Sequence, residues 1–258
     1  MLEIYEEFQK FNFVVYHDEP HVYYLNGKKA DLSATKLIGK FKKPFDSAYW
    51  SQKKADDEGI TKEEMLARWK LKGDIACEKG TAVHEYAENR LANKVFPYPS
   101  AKIRSLFKGE DPVIDKFNTI VPIVDKFIED CKGRMISIAS ELVIGDLEYN
   151  LGGMIDQVFY NKKSGKIELW DWKTNEKIDS DSKYTFNAPV SHVPSSKLEE
   201  YSLQLSLYKH IIEKNTNLKL GDSYLAWFNE NNETYQVFKC LDYSSEVVEM
   251  INSYRGRK

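Results

Sequence analysis

Two short apolar and aromatic runs, Asn12 to Tyr16 and His21 to Leu25, each open on a polar residue. With His17-Asp18-Glu19-Pro20 between them, the two runs predict a β-hairpin, and Asn26-Gly27 turns the chain into a short third strand. The period then lengthens to that of helices over 33–39 and 46–58. Thr61-Lys62-Glu63-Glu64 is a capping box for a helix carrying Met65, Leu66 and Trp69. After Gly73 a separate helix is predicted from Asp74 to Asn93, with Ile75, Val83, Ala87 and Leu91 on its apolar face. Residues 93–112 carry prolines and lysines and read as a loop with a short helix. Pro112 opens a long helix through Val113, Phe117, Ile120, Val124 and Phe127, with Pro122 as a source of a kink. Period-2 strands follow at about 134–144, 152–160 and 166–172, forming the antiparallel centre of a sheet. Residues 174–195 read as an ordered or mobile loop beside the site, able to fold over a substrate. A helix from about Ser196 to Glu213, strands at 224–228 and 234–240, and a helix from Ser244 to Tyr254 complete the chain.

This order predicts an α+β fold with a central mixed, largely antiparallel β-sheet flanked by helices. The whole chain, 1–258, is expected to form a single domain. Within it, 1–73 would be an N-terminal β-hairpin and helical wrapper, 74–214 the motif-bearing core, and 215–258 a hairpin and helix completing that core.

Polar residues at the strand ends carry the chemistry. Asp156 closes the run Gly152-Gly153-Met154-Ile155, and Asp171-Trp172-Lys173 closes the run Ile167 to Trp170, fifteen residues later. Antiparallel neighbours of that length bring two carboxylates and an ammonium to one edge. Carboxylate oxygens suit a hard divalent cation, and a nearby Lys can orient or activate a water. His84 and Glu88 share a helix face at i,i+4, as do Gln204 and Tyr208 on the later helix. Glu141 begins a strand-like run one element before Asp156. Taken singly, each has an ordinary structural explanation: a turn Asp, a surface His–Glu pair, a solvent-facing strand Glu.

Taken in order, Gly80-Thr81-x-x-His84, Glu141, Gly152-Gly153-x-x-Asp156, Asp171-x-Lys173 and Gln204-x-x-x-Tyr208 resemble the PD-(D/E)xK nuclease superfamily. The likeness is to its RecB-type exonuclease branch, which includes stand-alone single-strand exonucleases of phages and mitochondria. It spans Gly80 to Tyr208, about half of the chain, and departs from the family pattern in having Ile155 where Pro would stand. The resemblance implies a restriction-endonuclease-like core and a divalent-metal-dependent DNA nuclease, most simply an exonuclease on single-stranded ends. A structure-specific or nicking endonuclease and a catalytically inactive nucleic-acid-binding protein are the alternatives.

The resemblance makes His84, Asp156, Asp171 and the backbone carbonyl of Trp172 the ligands of Mg²⁺ or Mn²⁺, and Lys173 the catalytic lysine, its pKa lowered by the cation. Glu88, Glu141, Gln204 and Tyr208 would support the site or touch substrate. Products would carry 5′-phosphates, in a bacterial or phage-encoded setting of DNA repair or recombination.

Composition adjusts this picture. Some relatives hold an iron–sulfur cluster on four cysteines; Cys77, Cys131 and Cys240 are too few and too scattered, so no cluster is expected. Sparse cysteines fit a reducing compartment. No stretch approaches a membrane span, and the acidic N-terminus resembles no targeting peptide, so a cytoplasmic protein with no membrane partner is expected. The net charge of −3 does not favour a polyanionic partner. DNA, with a single-stranded region or end, would then need a local basic surface. Lys42, Lys43, Trp50, Lys53 and Lys54 interleave cations with aromatics and are the candidates; a solvated face of amphipathic helices is the other reading.

Overall fold

The computed structural model describes residues 2–92 and 112–256. The loop and short helix expected before Pro112 lie outside the described residues. Helix α1 (Leu2–Gln9), absent from the sequence-based reading, leads into β1 (Val14–His17), β2 (Val22–Leu25) and β3 (Lys28–Lys29), a small antiparallel sheet. Then follow β4 (Leu32–Ser33), α2 (Ala34–Gly39), α3 (Ser47–Glu58), α4 (Lys62–Leu91) and α5 (Pro112–Cys131). Strands β5 (Met135–Asp146), β6 (Leu151–Asn161) and β7 (Lys166–Lys173) precede α6 (Lys197–Asn215), β8 (Leu220–Trp227), β9 (Gln236–Lys239) and α7 (Ser244–Arg255). The fold is α+β. The larger sheet runs β4-β6-β7-β8-β9 with β5 on the other edge of β6. It is mixed: β4–β6 and β7–β8 are parallel, the remaining pairs antiparallel.

Both faces of this sheet are covered. Leu169 of β7 packs with Ile155, Val158, Leu203, Leu207 and Ile211 on the α6 side, where Leu37, Ile38 and Met250 join them. Trp170 and Trp172 alternate to the opposite face and pack with Phe117, Val124, Phe127 and Phe159 beneath α4 and α5. Asp171 and Lys173, in phase with Leu169, therefore leave β7 on the α6 side. No helix among the described residues is long and apolar enough to cross a membrane.

One sequence-based expectation is corrected here, and another is made specific. The capping-box helix and the motif helix are one helix of 30 residues, α4, which passes through Gly73 and Gly80 without a break. An interior Gly costs only about 1 kcal/mol relative to Ala, and with no Pro to remove a hydrogen bond, packing against α5 decides. The loop expected at 174–195 is anchored over its second half: Phe186, Val190 and Val193 are buried in the α6-side core, and Thr185 bridges Pro194.

What places the site is a gap in the sheet. One edge of β6 pairs with β5 throughout. Its other edge pairs with β4 at Leu151 and Gly152, and with β7 only from Gln157 to Asn161. Residues 153–156 are left between the two. The Gly-Gly of the motif serves this region through close approach. A Cβ on Gly153 would stand 2.3 Å from Tyr208 Cε1, and one on Gly152 2.5 Å from the Tyr23 Cβ. Gly153→Ala is accordingly expected to destabilise by about 1–3 kcal/mol, since the ring lies in a packed core and cannot retreat freely. The corresponding fall in Tm, roughly 2–10 °C, is measurable by calorimetry; an unchanged Tm would mean that Tyr208 does not rest on this strand.

Candidate metal centre

At the gap, side chains replace the missing ladder. Asp156 Oδ2 accepts a hydrogen bond of 2.7 Å from the Trp172 N–H, bridging β6 to β7 beyond their last paired residues. His84, rising from α4, comes within hydrogen-bond distance of the Trp172 carbonyl through Nε2 (3.0 Å), while its Nδ1 lies 3.5 Å from Asp156 Oδ2. A neutral imidazole donating to the carbonyl turns an Nδ1 lone pair toward a carboxylate. Two acceptors facing each other at that distance call for a proton or a cation between them.

Glu141 completes the group. His84, Glu141 and Asp156 each offer one donor atom, all within 4.8 Å of one another. Glu141 lies on β5 between Ser140 and Leu142, which pair with Gln157 and Ile155, and so faces the level of Asp156. Its φ of 49° is a left-handed conformation that a non-glycine residue adopts at a cost of order 1 kcal/mol. Burial first, then the charges of Asp156, Glu88 and Asp171, push its carboxyl up to about 8. Glu141 and Asp156 thus stand together beside His84, with Asp171 and Glu88 near enough for their charges to act on Glu141.

Asp171 stands next to the group, buried, with its Oδ2 in contact with the Lys173 ammonium. Burial raises its carboxyl, which Lys173 only partly offsets. For Lys173, burial works to lower the pKa, but Asp171 and Asp156 outweigh it and hold the ammonium protonated. Its Nζ lies 4.5 Å from the ring centre of Tyr201, whose hydroxyl donates to Asn175 Oδ1 at 2.9 Å. Gln204 Nε2 donates to the buried Tyr208 hydroxyl at 3.1 Å, so this pair braces α6 over Gly153. Glu88 is half-buried one helical turn beyond His84.

The opposed acceptors of His84 and Asp156 and the buried carboxylates beside them fit a divalent cation. The donors are hard oxygens plus one imidazole, a set for Mg²⁺ or Mn²⁺ in which the nitrogen favours Mn²⁺.

No family model matches this chain, and no curated protein matches it. Among solved structures, the crystal structure of SSO0001 aligns over 57% of this chain and 63% of that one, at 12% identity and a TM-score of 0.28. The chain thus spans less than two thirds of that protein, and so low a score carries no argument.

A cleft of about 770 Å³ reaches the group from the His84 and Lys173 end. Arg68, Lys72, Ile75 and Lys79 line it from one face of α4, and Asn175, Tyr201 and Glu230 face them. Lys79 is buried and pairs with Glu230 at 2.9 Å; Lys116 reaches the other Glu230 oxygen at 2.5 Å. These two partners hold the Glu230 carboxyl down at about 2 against the cost of burial.

The basic residues singled out in the sequence lie elsewhere. None of Lys42, Lys43, Trp50, Lys53 and Lys54 lines the cleft. Lys42 is paired with Glu200, Lys43 lies over Tyr184, and Lys53 lies over Trp50. The cleft cations were missed because they share a helix that was read as two. Tyr201 was legible as the residue three before Gln204 and seven before Tyr208.

Proposed function

We propose that the chain is a divalent-metal-dependent deoxyribonuclease that hydrolyses phosphodiester bonds at single-stranded ends, of the RecB-type PD-(D/E)xK kind its motifs resemble. The observation that carries this reading is the junction of the His84–Glu141–Asp156 group with the Asp171–Lys173 pair at the end of a cation-lined cleft. His84, Glu141, Asp156, Asp171 and the Trp172 carbonyl are the groups that would hold the ion. A divalent ion there supplies a lowered water pKa and positive charge for the phosphate oxygens.

The remaining steps belong to the chain. Lys173, kept protonated by its two carboxylate neighbours, donates to a phosphate oxygen and offsets the charge that develops on it. Asp171 and the Tyr201 ring fix the direction in which that ammonium points. Arg68 and Lys72 are exposed, in surface ion pairs with Glu58 and Glu176 that a phosphate along α4 can displace, whereas Lys79 is buried against Glu230. From Arg68 to His84 the helix advances roughly 24 Å at ~1.5 Å per residue, room for several nucleotides of one strand.

The test uses end-labelled linear single-stranded, linear duplex and circular single-stranded DNA, each with Mg²⁺, Mn²⁺ or EDTA. Cleavage of the linear single strand in either ion and none in EDTA is expected, with Asp156→Asn losing both cleavage and the rise in Tm on adding Mn²⁺. No cleavage of any DNA in either ion would sink the reading.

A further inference from the structure

The β1–β2 hairpin is seated against the metal group by a glycine pair. Gly145 and Gly152 are direct cross-strand partners on β5 and β6. A Cβ on Gly145 would fall 2.8 Å from Leu25 Cδ2 and 3.0 Å from Val14 Cγ2, and Val14 and Leu25 are themselves partners in the hairpin. Beside them Tyr23 lies on Gly152. Two side-chain-free positions facing each other leave a flat saddle, and the hairpin fills it. Its orientation is therefore set by backbone contact.

Tyr16 is the cross-strand partner of Tyr23, and their rings stand 5.0 Å apart. The Tyr16 hydroxyl reaches Asp18 and the His21 ring near the hairpin tip, which holds the Tyr16 ring in place. Gly145 and Gly152, on which the hairpin rests, lie four residues along β5 and β6 from Glu141 and Asp156, and the charge of Glu141 reaches both tyrosines. The hairpin thus meets the metal group from its Glu141–Asp156 end. The cleft reaches the same group from its His84–Lys173 end, and no residue of the hairpin lines it.

We propose that the Tyr16–Tyr23 pair is the end wall of the substrate path, stacking the nucleotide beyond the scissile bond and restricting cleavage to a short, fixed distance from a strand end. This rests on the nuclease reading and adds to it the element that separates cutting at ends from cutting within a strand. An aromatic pair at this place suits unpaired bases, since every base offers a π face and stacking tolerates sequence. A closed duplex or a circle has no terminus to seat against the wall.

The experiment measures product lengths and circle cleavage together. Wild-type protein, Tyr16→Ala and Tyr16→Phe are incubated with Mn²⁺ and either an end-labelled linear single strand or circular single-stranded DNA. Tyr16 is used because Tyr23 also packs on Gly152, and Tyr23→Leu serves as a second variant that removes the ring and keeps carbons at the Cβ and Cγ positions touching Gly152. The wild type is expected to release short products of narrow length and to spare circles. Tyr16→Ala should lengthen the products by one or more nucleotides, raise KM on short substrates about tenfold through lost stacking, and begin to cut circles. Tyr16→Phe, which keeps the ring, should match the wild type in product length. Circle cleavage by the wild type at the linear rate would overturn the end wall while leaving the nuclease intact. Unchanged product lengths and circle resistance in both Tyr16→Ala and Tyr23→Leu would do the same. Failure of the wild type to cut any DNA would overturn the nuclease reading, and this inference with it.

Discussion

Replacing Lys173 by Ala is expected to lower the rate of DNA cleavage about 10²–10⁴-fold, the usual contribution of one positioned proton donor or acceptor, while single-strand binding changes only a few-fold. The large effect follows from where the ammonium sits. It is buried against Asp171, within reach of the field of Asp156, and stacked on Tyr201, so no other described cation can take its place at the end of β7. The small effect on binding follows from the distribution of charge, since Arg68 and Lys72 stand along α4 away from this pair. One complication has a definite sign. Removing Lys173 leaves Asp171 buried without its counter-ion, and breaking a buried pair costs about 3–5 kcal/mol. The metal-free variant should therefore melt lower than wild type, and Mn²⁺ should recover part of the difference by standing in for the lost charge. Rates compared in Mn²⁺ below the melting transition isolate the chemistry. A folded Lys173→Ala protein cutting within tenfold of wild type would remove this residue from the mechanism.

The sequence exposes some of this arrangement and hides the rest for physical reasons. The strands bearing Asp156 and Asp171 were legible because each ends an apolar run of strand length, and the register Gln157–Trp170 brings those ends together. The α6 pair Gln204 and Tyr208 was legible from helical spacing alone. Glu141 was readable only as a strand residue, because its position opposite Asp156 depends on the β5–β6 register, and that register shifts once between Ser137 and Ala139. The continuity of α4 was hidden by Gly73 and Gly80, whose local cost is overruled by packing that the local pattern does not contain. The meaning of Gly152 and Gly153 was equally out of reach. What excludes a side chain there is a ring from residue 23 and another from residue 208, partners more than fifty residues away on either side. The overall charge of −3 was uninformative for a related reason: acidic groups concentrate at the ion site while the cations line the approach to it.

That concentration of acid makes the second large effect a matter of pH. Glu141 has its carboxyl raised to about 8 in the fold, against an ordinary value of 4.5, and Asp171 is raised in the same direction. A group whose pKa is higher in the folded chain binds its proton more tightly there. Its contribution is complete below about pH 4.5 and is lost as pH rises through 8. The metal-free protein should accordingly lose stability between pH 5 and pH 8.5. The loss is roughly 2–4 kcal/mol after discounting for water that reaches a half-buried carboxylate, or on the order of 5–15 °C in Tm. The carboxylates held low by ion pairs, such as Glu230 and Asp146, titrate below this window and do not contribute to it. His210, kept below its usual value by burial, works weakly the other way. Glu141→Gln separates these sources, because an amide keeps the shape and removes the titration. Its Tm should stay nearly level over the window in which the wild type falls. A divalent ion should reverse the dependence in the wild type, since it binds the ionised carboxylates and raises Tm more at pH 8 than at pH 5.5. Identical slopes for wild type and Glu141→Gln in EDTA would show that Glu141 does not share its field with Asp156, and the His84–Glu141–Asp156 group would lose its claim to an ion.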